Sequence, residues 1–377
     1  MPEIRDIQHQ ILFKDPFSYC AHAHIADLGD GEWVAVFNRA VRRPVILHPP
    51  NDPQYYNVLM RSTDAGRTWN TPRVAPGYDW HGTECAGLTV LHDGTLLLNQ
   101  WRFTWYPLET ARKLAHKVAL SFPTDWVQAL KAMGELPTND AIPDDPAEFV
   151  PWARGDGGTF VHRSTDGGRT WDETIPIDTT PFSGGYGMRG GVQLANGDLL
   201  LPLSDVPNYR TVFVVRSSDG GRTWAAPVVA AAEAGKEFEE PSLLALDDQR
   251  LIMLLRENTT HFLHQCTSTD GGHTWHGLRP TPILGYPPHL LRLPDGRLLC
   301  TYGYRYVPYG IRAVLSVDEG RTWDVDHPLM LRADLPNRDL GYPASLLMRD
   351  GRIFTIYYGQ DTDGVTCIQA TSYTIEG

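Results

Sequence analysis

RSTDGGRTW, residues 163–171, returns four more times with small changes: RSTDAGRTW at 61–69, RSSDGGRTW at 216–224, TSTDGGHTW at 267–275 and LSVDEGRTW at 315–323. The central aspartates, Asp64, Asp166, Asp219, Asp270 and Asp318, stand 102, 53, 51 and 48 residues apart. A spacing near 50 residues marks a repeated supersecondary unit. A common preamble also recurs along the chain: an apolar run, a polar turn usually carrying DG or NG, and a second apolar run. Its six forms include LTVLHDGTLLLNQW, GVQLANGDLLLPL, HLLRLPDGRLLCTY and SLLMRDGRIFTIYY. Each reads as two strands around a tight hairpin. A third strand then enters the nonapeptide and a fourth leaves it, which makes a four-stranded antiparallel blade. Six such blades, at roughly 17–80, 81–183, 184–234, 235–283, 284–335 and 336–377, close radially into an all-β propeller. The last blade has no nonapeptide, and the strand-like start IRDIQHQILF is expected to complete it. One domain, 1–377, thus accounts for a length that would also suit two.

The nonapeptide has a local explanation. Ser and Asp side chains bond the amides of their own turn, the glycines permit positive φ, and the tryptophan packs between neighbouring sheets. It is therefore read as fold-stabilising; one aspartate followed by glycines offers too few oxygens for a calcium cage. The working residues are sought elsewhere.

Composition narrows the partners. With 33 Lys+Arg against 45 Asp+Glu the formal net charge is -12, and no basic run interrupts the chain, which argues against nucleic-acid and membrane partners. An anionic small ligand stays compatible, because a few arginines in one pocket dominate the local field. The five cysteines, Cys20, Cys85, Cys266, Cys300 and Cys367, are odd in number and show no CxxC spacing. They fit a reducing compartment better than a disulfide framework or a zinc knuckle. The start lacks a basic segment followed by a long apolar run, and the expected location is cytoplasmic.

The pattern S-x-D-x-G-x-T-W resembles the Asp-box of the sialidase (neuraminidase) superfamily, and five copies in register with six blades cover nearly the whole chain. In an antiparallel blade the turn holding the box lies opposite the connection between strands two and three. The working mouth should therefore gather the starts of first strands and the ends of second strands. Two insertions fall on that side, at 38–54 and 106–157. The second carries apolar residues at helical spacing, first Leu114, Val118 and Phe122, then Trp126, Leu130 and Met133, divided by Pro123. It is read as one or two short helices over the mouth, serving as a water-excluding lid or as a dimer contact.

At the mouth, blade four opens with Glu239-Glu240-Pro241 and ends its second strand at Arg256, so the hairpin sets Glu240 beside Arg256. The resemblance implies that this glutamate assists a nucleophile and that the arginine binds a substrate carboxylate. It also implies that Tyr342, in the blade-six opening GYPASL, is the nucleophile, and that Asp52, nine residues before Arg61, is the acid/base. Asp52 equally suits an Asx-turn in PPNDPQYY. Tyrosine suits an anomeric centre already bearing a carboxylate, because a neutral phenol avoids repulsion until Glu240 takes its proton.

The resemblance is incomplete. Sialidases clamp the carboxylate with three arginines, and here the opening strand of blade one reads Tyr19-Cys20-Ala21-His22-Ala23-His24. Arg305 or Arg312 could be the third, and Arg189 and Arg102 also reach the mouth side. His22 and His24 share one strand face, and His81, Glu84 and His289 lie at the openings of blades two and five. These histidines could act as acid/base groups; no cofactor is expected, while a metal ion at the central histidine cluster stays open. The leading expectation is a sialidase-like glycosidase acting on a terminal acidic sugar. The alternatives are a histidine-dependent lyase or hydrolase of rhamnose-glucuronate type, with His22 or His24 as base beside Arg189 and Arg256, and a non-catalytic sugar-binding propeller.

Overall fold

The structure is a computed structural model, and it describes residues 2–47, 51–77, 82–83, 86–117, 120–134, 136 and 143–377. It contains six antiparallel sheets arranged as a six-bladed propeller, as the repeat predicts. From the axis outward, blade one runs through Ser18–Asp27, Trp33–Val41, Tyr56–Ser62 and Arg73–Val74. Blade six runs through Gly341–Leu347, Ile353–Gln360 and Thr366–Glu376, and its outer strand is the N-terminal Glu3–Phe13. That pairing, from Glu3 opposite Glu376 to Phe13 opposite Ile368, closes the ring with the first and last segments of the chain.

The apolar core lies between blades, since each twisted sheet buries both faces against its neighbours. Val34 and Val36 of blade one meet Leu96 and Leu98 of blade two, and Trp33 of blade one packs on Phe354 of blade six at 5.1 Å between ring centroids. The Asp-boxes are built as their chemistry dictates. In blade one the Ser62 hydroxyl donates to Asp64 Oδ1 (2.8 Å) and accepts from Gly66 N (2.8 Å), and Asp64 accepts from the amide and hydroxyl of Thr68. The same net recurs around Asp166, Asp219, Asp270 and Asp318. The opening arginines add ties between blades, Arg61 to the Gly167 carbonyl and Arg216 to the Gly271 carbonyl.

The second insertion lengthens a hairpin as well as forming helices. Its flanking strands, Leu96–Pro107 and Trp152–Ser164, continue the blade-two ladder outward to the pairing of Pro107 with Trp152. Between them lie the helices Leu108–Leu114 and Pro123–Met133, so Pro123 sits in a first turn, where its missing N–H is harmless. The second helix buries Pro123, Thr124 and Val127, with Val127 set against Val45, Leu47 and Val150. Met133, expected on the apolar stripe, is 61% exposed: the helix docks on the first insertion along the Val127 side. No helix among the described residues is long and apolar enough to cross a membrane.

Candidate active site

In three blades the first strand breaks register at the same place. The ladder skips between Ala21 and His24, between Glu239 and Ser242, and between Gly341 and Ala344. The residues at the breaks, His22, Glu240 and Tyr342, have φ of 54°, 54° and 52°. A left-handed backbone at a side chain other than glycine is strained by about 1–2 kcal/mol and is held only where surrounding structure enforces it. Here the bulge turns three side chains out of the strand alternation and into one cavity.

That cavity holds about 470 Å³ and is lined from five blades and both insertions. On its floor the Tyr342 hydroxyl donates to Glu240 Oε1, while Arg256 Nη1 lies 3.0 Å from Glu240 Oε2 and 3.5 Å from the tyrosine oxygen. Arg256 is fixed through Nε to Asn258 Oδ1 (2.6 Å) and stacks over Tyr286 at 4.2 Å. Glu239 receives Tyr186 (2.7 Å) and Asn258 (2.6 Å). Burial and the neighbouring Glu239 charge raise the pKa of Glu240, and Arg256 limits the rise. Burial disfavours the Arg256 cation, yet Glu240 and Glu239 outweigh it and hold the arginine firmly charged. A carboxylate made more basic, aimed at a phenol that also accepts from a guanidinium, is an arrangement for withdrawing a proton from tyrosine.

Arg305 lies over Tyr342 (5.7 Å) and Tyr286 (5.1 Å), donates to the Leu340 carbonyl (3.0 Å), and lines the cavity. The second insertion contributes Ser121, Trp126 and Arg154 to the lining, and Asn51 comes from the first. Arg154 was not singled out from the sequence. It is 5% exposed and packs over Trp101 at 5.0 Å. Its insertion has no counterpart in the other blades, so repeat alignment gave it no register; a cation at the base of a long hairpin beside the mouth was the only signal.

Several expected residues stand elsewhere. The Asp52 carboxylate is 2% exposed, ion-paired with Arg43 and bonded to Gln54 N (2.9 Å), among Tyr19, Leu47 and Tyr55. It serves the Asx-turn and does not line the cavity. Arg312 lies on the third strand of blade five with its guanidinium 3.2 Å from the centre of the Tyr304 ring, again outside the cavity. His24 Nδ1 accepts from Leu88 N (3.1 Å), and His289 Nδ1 accepts from Ser345 N (3.2 Å). Ser242 does the same for Leu290 N (2.9 Å), so the two histidines belong to a repeated clasp from one inner strand to the next. Burial, with Arg189 nearby, lowers both pKa values, that of His24 to about 3.

Arg189 fills the axis itself. Its guanidinium reaches the carbonyls of Pro343 (2.8 Å), Pro288 (3.4 Å) and Ala23 (3.5 Å), drawing three other blades to one cation. Arg102 donates to Gly77 O and covers the Phe160 ring. His81 and Glu84 lie outside the described residues. Among the described residues no three His, Cys, Asp or Glu side chains are grouped to hold a metal. A larger hollow of about 660 Å³ lies beside the blade-five Asp-box, where Arg297 is already bonded to Asp295 (2.7 Å) and Gly377 O (2.6 Å).

Comparison with known proteins agrees with the propeller fold. A sialidase of Micromonospora viridifaciens is 28% identical over 258 residues, covering 65% of this chain and 34% of that protein. A sialidase of Clostridium perfringens is 24% identical over 200 residues, 44% of this chain and 52% of its own. The chain thus spans about half or less of these curated relatives. Among solved structures, a protein of unknown function from Dyadobacter fermentans superposes over 100% of both chains with TM-score 0.78 and 24% identity. The NanB sialidase of Streptococcus pneumoniae gives TM-score 0.67 and 14% identity over 97% of this chain and 70% of its own. Residues 147–355 match the family model described as the BNR repeat-like domain, and the chain belongs to that family.

Proposed function

We propose that the protein is a sialidase-like glycoside hydrolase that removes a terminal acidic sugar, with Tyr342 as nucleophile and Glu240 as its base. The hydrogen bond from Tyr342 to Glu240, with Arg256 touching both, carries this reading. As the phenol oxygen attacks the anomeric carbon its proton passes to Glu240, and the covalent sugar-tyrosine intermediate is later released by water. Arg256 and Arg305 supply the clamp for the sugar carboxylate, since planar guanidinium groups match carboxylates. Arg154 adds a third cation from the insertion side. His22 occupies the blade-one corner, so the third arginine comes from the insertion and not from the opening strand of blade one.

The lyase alternative needed His22 or His24 as base beside Arg189 and Arg256. His24 and Arg189 are committed to the inner ring and the axis, so of that set only His22 and Arg256 line the cavity. The four described cysteines are buried free thiols, which supports a cytoplasmic location.

The test is turnover of an aryl α-sialoside beside a rhamnosyl-glucuronate oligosaccharide, reading released phenol and the ultraviolet absorbance of an unsaturated uronate. Phenol release that falls at least about 10³-fold in Tyr342→Phe supports the mechanism. Unsaturated product, or phenol release that survives Tyr342→Phe, refutes it.

A further inference from the structure

His22 is held from behind by a chain of buried amides. Its Nδ1 lies 3.1 Å from Asn38 Oδ1; Asn38 Nδ2 donates to Asn57 Oδ1 (2.6 Å), and Asn57 Nδ2 donates to Gln100 Oε1 (2.6 Å). Gln100 Nε2 then donates to the Pro76 carbonyl (2.7 Å) and meets His162 Nε2 (2.8 Å), whose Nδ1 meets the Thr174 hydroxyl (2.9 Å). The chain crosses blades one and two, and Asn38, Asn57, Gln100 and His162 are each no more than 1% exposed.

The direction of this chain is fixed at its far end. A carbonyl only accepts, so Pro76 requires the nitrogen of Gln100 to face it, which turns Gln100 Oε1 toward Asn57. Each amide must then present its oxygen to the donor on its cavity side. The last oxygen, Asn38 Oδ1, faces His22 Nδ1, which must carry hydrogen. The proton of a neutral imidazole sits on one nitrogen, so the lone pair of His22 lies on Nε2. The ring bearing it rests on Tyr342 at 4.0 Å between centroids, in the cavity that Asp52 does not reach.

We propose that His22, held as its Nδ1–H tautomer by this relay, is the acid/base residue of the site, with Nε2 as the atom that exchanges the proton. The inference rests on the glycosidase reading. In the first step protonated Nε2 gives its proton to the leaving oxygen as the glycosidic bond breaks, while the Tyr342 oxygen bonds to the anomeric carbon and its own proton goes to Glu240. In the second, Nε2 takes a proton from water as the water oxygen bonds to the anomeric carbon, the sugar-tyrosine bond breaks, and the phenol recovers its proton from Glu240. Protons and electron pairs balance, and no co-reactant beyond water is used.

Two measurements test this. Nitrogen-15 NMR of the folded wild-type protein should show neutral His22 protonated on Nδ1, and Asn57→Leu should move the His22 resonances although Asn57 does not line the cavity. Neutral His22 protonated on Nε2, or resonances indifferent to Asn57→Leu, overturns the relay whether or not any sialoside is turned over. In the kinetic arm, His22→Gln should lower kcat/KM for a methyl α-sialoside, a poor leaving group, by about 10²–10⁴-fold. The same variant should fall less than about tenfold on the 4-nitrophenyl α-sialoside, whose leaving group needs little protonation, and Asp52→Asn should show no such dependence on the leaving group. Equal losses on both substrates, or a leaving-group effect that follows Asp52, removes the acid/base role while leaving Tyr342 chemistry intact. A wild-type protein inactive on both refutes the glycosidase reading and the acid/base role with it, and the NMR result still decides the relay.

Discussion

Lowering the pH from 7 to 5 should destabilise the fold through histidines that lie outside the cavity. His24 and His162 are 6% and 0% exposed, and their folded pKa values fall to about 3 and about 4, with burial the larger cause and Arg189 or Arg102 the second. The unfolded chain binds protons near the ordinary value of about 6.5, and the folded chain does not. Stability is therefore full above about 6.5 and drains as pH falls toward the depressed folded values. At pH 5 each group sits about 1.5 units below its unfolded pKa, which at 1.36 kcal/mol per unit amounts to about 2 kcal/mol. Two groups give about 4 kcal/mol, a large share of a stability of roughly 5–15 kcal/mol, and His289, lowered in the same direction, adds to it. The assay is urea unfolding at both pH values for wild type and for His24→Asn, whose Oδ1 can take over the bond from Leu88 N–H. The variant should be weaker at pH 7 from lost packing, but its loss between pH 7 and 5 should be smaller by about 2 kcal/mol. Equal losses in both proteins would refute the view that a buried neutral His24 drives the acid response.

Glu240 must be ionised to accept the Tyr342 proton, and burial raises its pKa, so the acid limb of kcat/KM should lie above the ordinary glutamate range. Arg256→Met removes the cation that favours the carboxylate, so the limb should move to still higher pH; a limb that stays or moves down would exclude Glu240 as its source. Gly66 has φ of 81° and its added Cβ would enter the Trp33 ring, whereas Gly29, at φ of 91°, has nothing within 4 Å. Gly29→Ala should therefore lose about 1 kcal/mol from backbone strain, and Gly66→Ala a further roughly 1–3 kcal/mol from overpacking, read from thermal melts. Arg154→Ala should raise KM for an acidic glycoside more than it lowers kcat, because the insertion contributes binding at the rim and not the reacting oxygen; a pure kcat loss would contradict that placement.

The repeat made the blades legible because its chemistry is local: Ser, Asp, Gly, Thr and Trp complete their net within nine residues, and each copy carries its register with it. The meeting of Glu240, Arg256 and Tyr342 followed from blade order, since strand starts and hairpin partners share one face. The misplaced residues fail that condition. Asp52 lies in an insertion, where the side chain is directed by Arg43 and a turn amide and not by strand alternation. His24 and His289 stand two residues past the inward-turned position, and what they bond is the next blade's amide, a partner 64 and 56 residues away. Arg312 is on a third strand, whose position between hairpin and box sets it on a tyrosine of its own blade. The relay through Asn38, Asn57 and Gln100 looked like ordinary polar residues at strand positions; only their alignment across two sheets gives them meaning.

A simpler signal was present for the cavity floor. His22 precedes the hairpin glycine Gly31 by nine residues, Tyr342 precedes Gly351 by nine, and Glu240 precedes Gln249, which stands at the glycine position of its blade, by nine. The same step back from Gly197 in blade three reaches Met188, and from Gly296 in blade five it reaches Pro287. The repeated backbone thus offers equivalent positions around one axis, and in blades one, four and six the left-handed bulge turns them inward. The strain at each bulge is borne by a ladder that resumes two residues later, so the residue occupying it can change with little effect on the sheet. Chemistry in such a propeller is set by single choices at equivalent places. On the proposed reading a histidine, a glutamate and a tyrosine at three of them supply an acid/base, a base and a nucleophile, and a different set on the same blades would make a different site without a different fold.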